Sequence, residues 1–177
     1  MAERVTVADG LMMSYLGAMR FVPAWAPNVH PMLVHFPIAL LFTGVVIDVV
    51  AFPLPARTRE PLRNMATVLY CVGALAALAT YLTGRAASQT VLVPGMAQAL
   101  IKTHWDWAFW TLWYFAGLAA ARVVLLVTCS PLRTRTLAAL VGGGLLGLVL
   151  LYETADRGAE LVYRHGVGVG VLLGAPH

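Results

Sequence analysis

The chain has 177 residues, 60% of them hydrophobic and 11% charged, with a formal net charge of +4. That balance is too apolar for a soluble domain of this size and places the chain among membrane proteins, with lipid as its expected surroundings. The basic residues stand singly or in short loops without interleaved aromatics, which excludes nucleic acid as a partner.

Residues 1–29 carry Leu11, Met12, Tyr15, Met19 and Val22 at helical spacing, which predicts an amphipathic helix lying at the membrane interface. Arg20 interrupts the end of that stretch and no small-residue cleavage site follows, so it does not read as a signal peptide. Four apolar stretches come next, Pro31 to Phe52, Met65 to Thr83, His104 to Thr128 and Thr136 to Tyr152. Each is about long enough as a helix to cross ~30 Å of hydrocarbon. The expected fold is therefore all-α, an integral membrane four-helix bundle over residues 30–152, followed by an extramembrane segment over 153–177. Gly143 with Gly147, and Gly117 with Ala121, are small residues four apart that let helices approach closely. The run WDWAFWTLWYF after His104 reads as an interfacial aromatic belt.

The first and third links, PLPARTREPLR and CSPLRTR, share one side and carry Arg57, Arg59, Arg63, Arg133 and Arg135 against the single acid Glu60. The positive-inside rule makes that side cytoplasmic and puts both termini in the periplasm of a bacterial inner membrane. The second link, residues 84–103, is long enough to hold a surface helix. Deep within the spans, Asp48 and Arg122 each lie about 27 Å from the histidine that opens their helix, His30 or His104. Matching depth and the cost of an unpaired charge there point to an ion pair. Cys71 and Cys129 show no CxxC or CxxCH spacing and read as small buried hydrophobes.

All five histidines fall toward the other side: His30 and His35 at the start of the first span, His104 at the start of the third, His165 and His177 beyond the fourth. A lone interfacial imidazole is an ordinary hydrogen-bonding residue; several at one level of a small bundle suit a cofactor. His30 and His35 are five residues apart, about 140° around a helix, so they address different partners. No HExxH motif occurs and no cysteine lies at the histidine level, so a zinc set is not indicated. A b-type haem needs one imidazole from each of two helices, apolar and aromatic walls, and cations for the propionates. The expected pair is His35 with His104. His30 with His165 are candidates for a second haem or for support of the first, and Arg85, Lys102, Arg157 and Arg164 supply positive charge. Asp106 either orients a ring nitrogen or faces water. The glycines of GVGVGV lack the strand-turn-helix context of a phosphate loop and suit close backbone packing.

HPMLVHFPIALL at 30–41, with Asp48 in the same helix, and LVYRHGVGV at 161–169 resemble the signatures of a bacterial four-helix membrane family of unknown function, marked by HPxxVHFPI and LVYxHGVGV. The resemblance runs from His30 to Val169. It implies that His30, His35 and His165 are motif histidines, with His104 at the place of a third-helix histidine. Glu160 departs from the small residue that relatives carry before LVY.

These readings favour a membrane-embedded haem-b electron-transfer protein, with one haem or two, as a subunit of a redox complex that relays electrons between a periplasmic donor and quinone or a partner subunit. Independent catalysis is not expected, since no nucleophile-base set or carboxylate pair stands out. The alternatives are a structural or assembly subunit without cofactor, and a protein binding a metal ion through its histidines.

Overall fold

The computed structural model describes residues 28–90, 95–129 and 131–168, all helices and their connections with no strand among them. The interfacial helix expected over Leu11–Val22, and His177, lie outside these residues. Four helices are long and apolar enough to cross a membrane: α1 (His30–Ala51), α2 (Ala56–Thr90), α3 (Gln98–Thr128) and α4 (Thr134–Tyr163).

α1 consists of two pieces, His30–Leu33 and His35–Ala51, joined through Val34, whose φ of −58° and ψ of −28° remain helical. The interruption has a local cause. Pro37 has no N–H to offer the carbonyl of Leu33, and Thr80 of α2 supplies the missing donor through its hydroxyl at 3.2 Å.

The helices outrun the apolar stretches that announce them. α2 continues to Thr90 and α3 begins at Gln98 after a short 3₁₀ turn at Gly95–Ala97, so most of the expected surface link is an extension of two spans. Ala, Gln, Leu and Lys in that region are strong helix formers, and hydropathy registers only the part in lipid. α4 likewise runs on past Tyr152, where pairs one turn apart, Glu153 with Arg157 and Glu160 with Arg164, support a polar helix. At 30 to 35 residues, α2, α3 and α4 reach ~45–52 Å and project beyond ~30 Å of hydrocarbon.

α1 and α3 each pack against both α2 and α4, so the bundle is a square with α1 and α3 on a diagonal. Leu41, Val45, Tyr70 and Phe115 fill its centre with no more than 1% exposure. Glycines let these large groups in: a Cβ on Gly73 would meet Leu41 Cδ2 at 2.6 Å, and one on Gly147 would meet Phe115 Cζ at 2.6 Å. The outer face is lined by Phe42, Val50, Leu75, Trp110 and Val127, all exposed. So much apolar surface is a liability in water and the natural boundary of a protein in lipid. Cys71 is half-buried, while Cys129 is exposed at the end of α3, where the chain leaves the bundle.

One polar cluster interrupts the core. Arg122 donates Nη1 to Asp48 Oδ2 at 2.6 Å and Nη2 to Oδ1 at 2.9 Å, a bidentate pair across the diagonal. Its Nε reaches Thr67 Oγ1 and its Nη2 the Arg63 carbonyl, both at 3.3 Å. The guanidinium lies 4.4 Å from the centre of the Tyr70 ring, an arrangement that adds cation–π attraction.

Removing either charge alone strands the other, so Asp48→Asn and Arg122→Gln should each cost about 3–5 kcal/mol, with the double mutant costing clearly less than the sum. Thermal unfolding in detergent reads this cycle, and strict additivity would deny the coupling. The glycines give a second contrast. Gly147→Ala should destabilise by about 1–3 kcal/mol because Phe115 has nowhere to move. Gly142, which faces open space, should accept alanine with no loss and with up to ~1 kcal/mol gained in helix propensity. Equal melting shifts for the two variants would contradict this packing.

Candidate functional site

Two of the four described histidines are built into equivalent settings. His30 opens α1 beside Pro31, its backbone N–H donating to Asn28 Oδ1 at 3.1 Å. Its Nδ1 lies 3.1 Å from the Thr80 carbonyl of α2. His104 of α3 places Nδ1 3.0 Å from the Thr154 carbonyl of α4. A carbonyl only accepts, so in both rings Nδ1 carries the hydrogen and a neutral ring keeps the Nε2 lone pair free for a ligand. Each ring also rests on a glycine of the neighbouring helix: a Cβ would fall 2.9 Å from His30 Cε1 at Gly84 and 3.1 Å from His104 Cε1 at Gly158. His30 lies within electrostatic range of His104.

The likeness of the two settings has a source in the sequence. Asp48 and Arg122 are 74 residues apart, and the same offset relates His30 to His104, Thr80 to Thr154, Gly84 to Gly158 and Gly73 to Gly147. Each histidine is also 50 residues before the threonine whose carbonyl it meets. The chain is thus two helical hairpins in one orientation, related by a pseudo-twofold axis along the bundle, as in parallel membrane repeats. A residue that bonds its own equivalent must lie beside that axis, so the Asp48–Arg122 pair marks it at one end, and His30 and His104 flank it toward the other.

The remaining candidates are arranged around this pair. His35, expected to pair with His104, is exposed on the outside of α1. His165 is half-buried just beyond α4. There the chain turns through Gly166 at φ 64°, whose N–H bonds the Val162 carbonyl, a left-handed conformation that favours glycine. Among the described residues no three of His, Cys, Asp and Glu gather as a metal-binding group. Of the four described histidines, His30 and His104 share one kind of setting, and His35 and His165 do not.

Trp105 and Trp107 follow His104 on α3, with the Arg85 guanidinium 5.9 Å from the Trp105 ring centre and Arg157 4.6 Å from that of Trp107. Of the cations considered from sequence, Lys102 is paired with Asp106, Arg157 with Glu153 and Arg164 with Glu160. Asp106 is exposed and its carboxylate serves Lys102. Arg85 has no carboxylate partner among the described residues. Thr80, Thr154, Gly84 and Gly158, which orient the two rings, were not singled out by sequence reasoning; the recurrence of His, Thr and Gly at one offset is the signal that finds them.

The family model described as "Predicted membrane protein (DUF2231)" matches residues 26–171, and the chain belongs to that family of predicted membrane proteins. No curated protein and no solved structure matches it.

Replacing Gly84 by alanine should push the His30 ring off the helix and break its bond to the Thr80 carbonyl. In ¹⁵N-labelled protein this should move the His30 Nδ1 resonance away from that of a hydrogen-bonded pyrrole-type nitrogen and leave His104 unchanged. An unshifted His30 signal would show that the glycine does not hold the ring.

Proposed function

We propose that this member of the DUF2231 family is a membrane electron-transfer protein that holds one haem b between His30 and His104. The observation that carries the reading is the pair of repeat-related imidazoles, each with Nδ1–H committed to a backbone carbonyl and Nε2 left as a ligand. Such a bond from the second ring nitrogen fixes the tautomer, orients the ring and raises its basicity toward iron.

The donor set suits haem better than an isolated ion. Two imidazoles would be a sufficient protein donor set to hold haem iron, whereas a structural zinc needs four protein ligands and a catalytic zinc three. Cys129 lies at the far end of α3 and Cys71 within the span of α2. In this reading His30 replaces His35 as the partner of His104. With His30 engaged there, a second haem shared by His30 and His165 is set aside. Arg85, without a carboxylate partner among the described residues, offers a positive charge for a propionate, and Trp105 and Trp107 offer aromatic surface beside His104.

Haem would supply one-electron chemistry; the chain sets its depth, ligand basicity and polarity. A cofactor at the histidine end suits exchange with a donor on that side and with quinone or a partner subunit in the membrane, as one subunit of a larger redox complex.

Reduced-minus-oxidised spectra of detergent-solubilised protein expressed with haem available, with a pyridine haemochrome assay, test the proposal. The expected result is a b-type α band at one haem per chain, lost in His30→Ala and His104→Ala and kept in His35→Ala. Folded but colourless wild-type protein would overturn it and favour an assembly subunit or a colourless metal site. Loss of the band in His35→Ala but not His30→Ala would restore the His35 pairing.

A further inference from the structure

At the end of the bundle away from the paired histidines, Asp48, Arg59 and Arg63 line a notch of about 10 Å³, rimmed by Phe52, Leu137 and Val141. That is room for one water-sized group. We propose that the notch is a phosphate-anion site, filled by a phosphoryl oxygen of an anionic phospholipid headgroup.

Two buried donors there have no partner among the described residues: Arg59 Nε and Arg63 Nη1. The Arg63 side chain is only 6% exposed. Its Nη2 is occupied by Glu60 Oε2 at 2.7 Å, and Arg59 Nη1 donates to the Leu54 carbonyl at 3.2 Å. An unpaired buried cationic donor is costly, so two facing one notch call for an acceptor.

Charge selects an anion over water. Three guanidiniums, of Arg59, Arg63 and Arg122, stand against two carboxylates, of Asp48 and Glu60, which leaves one positive charge unbalanced. A water accepting from both arginines must still place two hydrogens of its own. The Asp48 oxygens, each accepting once from Arg122, have lone pairs left for them, but a water leaves the charge unbalanced, and the rest of the wall is largely apolar. Glu60 Oε1 is also unpartnered, but Glu60 does not line the notch. A phosphoryl oxygen only accepts, carries the missing charge, and forms strong bonds with guanidinium donors. The apolar rim and the position at a helix-bundle end favour a lipid headgroup as its source, with acyl chains against the outer face.

The test uses the full-length chain in mild detergent. Native mass spectrometry of gently extracted protein should show one anionic phospholipid retained per chain. After delipidation, phosphatidylglycerol at about 100 times its Kd should raise Tm by roughly 5–10 °C. Phosphatidylcholine, whose own cation offsets its phosphate, should not. Arg59→Gln, which leaves the Arg63–Glu60 pair intact, should abolish retention and shift, and the exposed Arg57→Gln should keep both. If inorganic phosphate alone reproduces the shift, the site stands with a free anion as its occupant. No shift with either anion, or an equal shift with phosphatidylcholine or in Arg59→Gln, would overturn the proposal.

Discussion

The Asp48–Arg122 pair is the constraint on which the arrangement of the bundle rests. Both side chains are nearly inaccessible, at 6% and 2% residue exposure, in the middle of a protein whose outer boundary is apolar. A lone charge there would be desolvated on every side, so each group is tolerable only with the other in bidentate register. Apolar contacts in a bilayer resist sliding weakly, because lipid offers helices the same kind of surface. A charged fork of fixed geometry resists strongly. Bonding α1 to α3 across the diagonal therefore sets the relative height and rotation of the two hairpins. His30 and His104 lie 18 residues from their respective charges, about 27 Å along each helix. Fixing one pair levels the other.

The two hairpins obey one plan with different side chains, and the differences are local solutions to shared demands. Where α1 has Pro37, α3 has Thr111. The proline leaves the Leu33 carbonyl to be capped by Thr80, while Thr111 donates to the Leu150 carbonyl at 3.0 Å and meets Thr154 Oγ1 at 2.8 Å. Both arrangements place a hydroxyl beside the carbonyl that anchors a histidine. At the core, Leu41 over Gly73 answers Phe115 over Gly147, and the added bulk of the phenylalanine is matched by Tyr70 standing opposite Gly144. On the outside the halves diverge. Ala74, Ala116 and Ala120 line an open groove of about 570 Å³ between α2 and α3, where the equivalent positions are Leu148, Phe42 and Val46.

Much of this was legible in the sequence because the bilayer makes crude signals decisive. Apolar runs announced four helices, and two charges at matching depth within them pointed at one another. What hydropathy could not mark were the helix ends. α2 and α3 continue through residues that are polar yet helix-forming, since lipid thickness limits only the apolar part of a helix. The histidine level was visible, but which of His30 and His35 meets the neighbouring helix depended on the rotation of α1, which its neighbours set. Thr80 and Gly84 decide that rotation from another helix 50 or more residues away. The repeat escaped notice for a related reason. Its halves share few identical residues, and the most telling equivalence, Asp48 with Arg122, opposes unlike charges.

That opposition follows from the symmetry itself. Two like charges beside a twofold axis would face each other in a medium that screens neither, so an ion pair on the axis requires the halves to differ there. Two imidazoles face no such conflict. Each has Nδ1 bonded to a backbone carbonyl of the neighbouring helix, so the two settings can be identical. The bundle can thus be polarised into two chemically distinct ends by one repeated hairpin. Where equivalent residues must attract directly, their charges differ; where each bonds a backbone carbonyl of the neighbouring helix, they remain the same. By this logic Asp48 and Arg122 differ because they bond one another, and His30 and His104 stay alike because each bonds a neighbouring helix.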